Sequence, residues 1–135
     1  VSNPGGFVIP VRDLEMLRTF DGQGRIVLTA YLPLDTPEHR ESAYDRFVEQ
    51  MQARLEECGP EIECREAIEE DMEIVSLYLR SNGHRRRAGL AIFSCAAALF
   101  WRAYTLPVSV PCQVTVGSKF DLQPLMEATQ SLKEA

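Results

Sequence analysis

The stretch from Arg87 to Val110, RAGLAIFSCAAALFWRAYTLPVSV, decides the fold. Ala88 to Cys95 is an apolar run of strand length and reads as a buried strand. Three alanines then form a short turn. Leu99 to Leu106 reads as a second strand, and Pro107 ends it because proline offers no amide hydrogen to a ladder. Alternation along this second strand places Phe100, Arg102 and Tyr104 on one face and Leu99, Trp101, Ala103 and Thr105 on the other. At least one of those faces is core, so the aromatics read as packing residues with polar tips before they read as stacking platforms for bases.

Working outward, Ile26 to Leu32 is β-branched and apolar and predicts a strand closed by Pro33. Cys112 to Val116 alternates Val114 and Val116 against Gln113 and Thr115 and predicts a further strand. Between the first strand and the quoted stretch lie two long helical patterns. From Pro37 to Cys58, Tyr44, Phe47, Val48, Met51 and Leu55 recur every three or four positions and form one apolar stripe. Thr36 is placed to cap that helix, with Pro37 in its first turn. Gly59-Pro60 stops it. From Ile62 to Ser81, Ile68, Met72, Val75, Tyr78 and Leu79 form a second stripe, and Asn82-Gly83 is a C-terminal cap. A helical hairpin inserted between strands has to cover one face of the sheet. A short helix is expected over Val11 to Phe20 and a helix or tail over Leu125 to Lys133. The flanks, 1–10 and 126–135, read as flexible or peripheral. The expectation is a single α+β domain: a mixed or mostly antiparallel sheet of about four strands covered by a long helical hairpin.

With 135 residues, 45% of them apolar and 25% charged, the chain has the size and composition of one globular domain with its own core. It carries no apolar run long enough for a membrane span and no signal peptide, so a cytoplasmic protein is expected. It does not begin with methionine, so it reads as processed or as part of something longer. The net charge of −6 disfavours a broad nucleic-acid-binding surface. The charge is uneven, however. Nine acids and a single base, Arg65, lie between Glu56 and Glu73, and this acidic face reads as solvated. It has neither the alternating ligands nor the central glycine of a calcium loop. His84-Arg85-Arg86-Arg87 follows at the helix-to-strand turn. Arginine suits bidentate phosphate contact, so these four residues are the candidate phosphate or RNA contact, weighed against a solvated turn paired with nearby glutamates.

No catalytic residue, cofactor site or metal site is expected. Gly5-Gly6 and Gly22-Gln23-Gly24 lack the context of a phosphate loop. His39 and His84 have no partner spacing, and neither a Ser/His/Asp nor a Cys/His arrangement can be argued. The four cysteines form no metal-ligand pattern and read as reduced thiols. Cys58 and Cys64 flank the Gly-Pro turn and are close enough in sequence to meet.

The order of parts resembles a known family. Tyr31-Leu32-Pro33-Leu34-Asp35 ends the first strand, Gly89 to Ser94 forms the next, and Leu106 to Pro111 and Leu122 to Leu125 follow. Together these are similar to the N-terminal domain of the bacterial proteins related to archaeo-eukaryotic peptide-chain release factors. Each motif is short and apolar, so their order and spacing carry the likeness, which covers nearly the whole chain. The resemblance implies a longer protein, with a middle domain like the one that bears Gly-Gly-Gln in true release factors and a third like kink-turn-binding ribosomal proteins. Gly5-Gly6 precedes Phe7, and nothing matches the Asn-Ile-Lys-Ser stop-codon loop, so neither peptide release nor codon reading carries over. What the resemblance implies is a non-catalytic domain associated with the ribosome, through ribosomal RNA or protein, in rescue, hibernation or stress. The alternative is a protein-interaction module, such as a homodimer, with no nucleic-acid contact. No small-molecule substrate and no membrane partner is expected.

Overall fold

All seven residues of β1, Val27–Pro33, are buried. A strand with no solvated face must lie inside the sheet and carry layers on both sides. The computed structural model, which describes residues 9–81 and 87–134, shows this arrangement. The helices are α1 (Val11–Thr19), α2 (Pro37–Glu57), α3 (Ile62–Ser81) and α4 (Gln123–Glu134). The strands after β1 are β2 (Gly89–Cys95), β3 (Phe100–Leu106) and β4 (Gln113–Gly117). Their order in the sheet is β3-β2-β1-β4, and every neighbouring pair is antiparallel. The α+β expectation holds, and the sheet is antiparallel throughout.

The period of two sorts the side chains between the layers. Leu28, Ala30 and Leu32 of β1, Leu90 and Ile92 of β2 and Val114 of β4 face the α2–α3 hairpin. There they meet Ala43, Phe47, Met51 and Leu55, the stripe of α2 at a spacing of four, and Ile68 and Val75 of α3. Each large apolar side chain so buried contributes about 1.5–3 kcal/mol. Thr36 caps α2 by accepting the His39 amide at 3.0 Å, as its place before Pro37 predicts.

The opposite face is covered as well, which the expectation of a hairpin on one face did not include. Val27 and Tyr31 of β1, Ala91, Phe93 and Cys95 of β2 and Leu106 of β3 pack against Leu17 of α1 and Leu125 and Ala128 of α4. Phe93 and Phe120 meet edge to face at 5.4 Å between ring centres, with Phe100 and Phe20 beside them. The Tyr31 hydroxyl donates to the Asp121 carbonyl at 2.6 Å, and the Asp121 amide donates to Thr29 Oγ1 at 3.0 Å. Two polar groups of the central strand thus fix the entry to α4. The C-terminal segment is not peripheral as far as Ala128, which is buried in this layer.

Leu99 also departs from expectation. It is the left-handed residue that closes the Ala96–Ala98 turn, at φ +55°, and it is 95% exposed and outside β3.

The connection from β3 to β4 has to cross the end of β2 and β1. Residues 107–112 make that crossing so close to Gly89 that a Cβ there would lie 2.7 Å from the Val108 carbonyl oxygen and 3.2 Å from the Val110 side chain. Backbone blocks the space, so no flexible side chain can yield. Gly117, by contrast, has nothing within 4 Å of such a Cβ. Gly89→Ala is therefore expected to cost about 2 kcal/mol or more in denaturant unfolding, as overpacking does, whereas Gly117→Ala stays within about 0.5 kcal/mol of the parent.

Candidate phosphate-contact site

Three sequence-distant segments meet where the crossing passes the sheet: the end of β1 with the start of α2, the start of β2, and residues 107–112. The Leu34 amide donates to the Ala88 carbonyl at 2.8 Å, which carries the β1–β2 pairing one step beyond Pro33–Gly89. The Ala88 amide donates to the Leu106 carbonyl at 3.0 Å. Pro33 is tolerated in a central strand because the β1–β4 ladder already ends at Tyr31–Gln113. Asp35 follows Leu34 and Arg87 precedes Ala88 at this end of the sheet.

Arg87 is partly buried, and its Nε is fully buried without a hydrogen-bond acceptor. It forms no ion pair with Asp35 or with any other described residue. The remaining members of the predicted cluster, His84, Arg85 and Arg86, lie outside the described residues.

Asp35 is engaged instead by α2 and by the crossing. His39 Nδ1 lies 2.7 Å from Asp35 Oδ1. That hydrogen bond is the main reason the Asp35 carboxyl is held below the usual carboxylate range, and Ser109 adds to the effect. The grouping brings a serine, a histidine and an aspartate together, but the aspartate is at its centre. A nucleophilic triad needs the imidazole between the hydroxyl and the carboxylate, and that order is not found here. Arg40 Nη1 donates to the Leu34 carbonyl at 3.0 Å and holds the first turn of α2 to the end of β1. The N-terminus of this 21-residue helix, with its positive dipole end, therefore opens onto the same corner.

Elsewhere, the aromatic side chains are used in packing. Tyr31 is fully buried, and Trp101 meets Tyr78 edge to face at 5.2 Å. Cys112 lines an open depression with Arg46, Glu49 and Gln50, and burial raises its thiol pKa. Among the described residues no group of three or more His, Cys, Asp or Glu could hold a metal ion. No helix among them is long and apolar enough to cross a membrane.

Asp71 corrects the reading of the acidic face. It is only 2% exposed, while its neighbours Glu69 and Glu70 are exposed. Its Oδ1 accepts from Ser94 Oγ at 2.7 Å and from the Ala96 amide at 2.8 Å, so it clamps α3 to the corner after β2. The sequence carries the signal: Asp71 stands three residues after Ile68 and four before Val75, on the buried stripe. Burial raises its pKa to about 6, against the opposing pull of those two hydrogen bonds.

No family model matches the chain, and no curated protein matches it. A solved structure described as "Archaeal protein" is similar, with a TM-score of 0.65 at 12% identity over 92% of this chain. The chain spans 35% of the length of that protein. At that identity the likeness is one of fold alone.

The Asp71 clamp has a pH signature. Because the folded-state value lies above the unfolded one, the group's contribution to stability is complete below about pH 4 and is lost as pH rises through about 6. Asp71→Asn keeps an oxygen for Ser94 and Ala96 but cannot titrate. Between about pH 7.5 and 4.5 the parent is expected to gain roughly 2 kcal/mol relative to this variant, measured as the difference between paired urea titrations.

Proposed function

We propose that this chain is a non-catalytic recognition domain of a larger release-factor-like protein, and that it contacts ribosomal RNA through the basic corner at the start of β2. The place of Arg87 carries this reading: it is a partly buried arginine at the start of β2 that forms no ion pair with any described residue. Guanidinium–phosphate pairing is strong and directional. Two further observations support it. The N-terminal end of α2 opens onto the same corner, where it favours an anion. The motifs behind the release-factor resemblance also gather there: Asp35 from the first, Gly89 from the second and the 107–111 crossing from the third. A chain of net charge −6 meets RNA at a local point, not across a broad face.

A second reading is a protein-interaction module. It draws on β3, an edge strand, and on exposed Ile74 and Leu77 along α3 among its acids. A homodimer through the β3 edge would be seen in light scattering.

The two readings separate on the ribosome. In the full-length protein, replacing Arg85, Arg86 and Arg87 together with Ala is expected to weaken co-sedimentation with ribosomes. It is also expected to flatten the dependence of log affinity on log salt by roughly 2–3, about one for each phosphate no longer engaged. Unchanged binding with an unchanged slope contradicts the RNA role and leaves the protein-interaction reading.

A further inference from the structure

The turn of the helical hairpin holds a pair of thiols that the proposed function does not use. Cys58 caps the C-terminus of α2, and Cys64 lies in the first turn of α3. Gly59, at φ +61°, reverses the chain between them. The Glu61 amide reaches back to the Cys58 carbonyl at 3.4 Å, and Arg65 Nη1 donates to the Leu55 carbonyl at 3.2 Å across the turn. These contacts hold the two helix ends together, and both cysteines pack on the rim of the same core layer. Both are free and partly exposed.

We infer that Cys58 and Cys64 form a reversible dithiol site, which a small-molecule disulfide of the glutathione type oxidises to an intramolecular disulfide that locks the α2–α3 turn. The two side chains are hydrogen-bonded to one another, and that contact, followed by burial, raises the Cys64 pKa to about 11. Cys64 therefore keeps its proton beside Cys58, which assigns the attack to Cys58 and the resolving step to Cys64. The Cys58 thiolate attacks one sulfur of the small disulfide and expels the first small thiolate, leaving a mixed disulfide on Cys58. Cys64 then gives its proton to solvent and attacks the Cys58 sulfur, expelling the second small thiolate. The protein loses two thiol hydrogens, and one small disulfide is reduced to two thiols. Glu61 opposes and Arg65 favours ionisation of Cys64, and the net upward shift makes closure of the disulfide faster as pH rises.

The other two thiols serve as internal controls. Cys95 is buried and donates to the Ile26 carbonyl at 3.6 Å, and Cys112 is partly covered beside Arg46. The test is to incubate the folded protein with excess oxidised glutathione, alkylate the remaining thiols and map the peptides. The expected product is a Cys58–Cys64 crosslink that dithiothreitol reverses, with Cys95 and Cys112 still alkylated. Cys64→Ser is expected to stop at a glutathione adduct on Cys58, and Cys58→Ser to leave Cys64 alkylatable. Parent protein that accumulates the Cys58 adduct without closing, or that crosslinks either cysteine to Cys95, Cys112 or another chain, overturns the inference.

Discussion

The structure depends on the burial of β1 on both faces. Leu28, Ala30 and Leu32 fill the hairpin layer while Val27 and Tyr31 fill the other, so removing either helical layer would expose half of the same strand. Tyr31 illustrates the coupling. Its ring lies in the aromatic layer, and its hydroxyl donates to the Asp121 carbonyl just before α4. Desolvation of that hydroxyl raises its pKa far above the ordinary tyrosine value and keeps it neutral as a donor. The central strand thereby orients the last helix as well as the sheet.

The architecture of the candidate site follows from the same constraint. With β1 central and β4 on its far side, the chain leaving β3 has to traverse two strand ends to reach β4. That path is narrow at Gly89, where the Val108 carbonyl occupies the space a side chain would need. The crossing also brings Ser109 to Asp35 and leaves Arg87 at the edge of a tightly filled corner. Ala88, which follows Arg87, is committed to the sheet through its hydrogen bonds to Leu34 and Leu106. Positional rigidity of this kind is what a contact to a single phosphate oxygen requires.

Much of the fold is legible in the sequence because its signals are periodic. The two-residue alternation in β3 assigns Phe100, Trp101, Ala103 and Tyr104 to the faces they occupy, and the stripe Phe47, Met51 and Leu55 marks the buried side of α2. The second helical layer is less legible. α1 and α4 are short and, among the described residues, bury only Leu17, Leu125 and Ala128 fully against the sheet. Their role is set by tertiary contacts such as Tyr31 to Asp121, which no local pattern announces. Leu99 reads as strand because an apolar residue beside a strand looks like part of it, whereas its positive φ follows from the turn before it. At the candidate site, the basic cluster is visible in the sequence but its setting is not. The Asp35–His39 pair has only its spacing of four to mark it, and that spacing gains meaning from the N-cap at Thr36, which fixes the helical phase that joins them. Asp71 is hidden among its acidic neighbours for the opposite reason: its helical phase marks it as buried, and its charge suggests otherwise.

In the proposed role, the end of the sheet around Arg87 receives a phosphate of ribosomal RNA. Hydrogen–deuterium exchange on the full-length protein, with and without ribosomes, tests it most directly. Added protection is expected at residues 87–89, in the 107–112 crossing and in the first turn of α2, where the three segments meet. Protection confined to α3 and the β3 edge, with the corner exchanging as in the free protein, would contradict it.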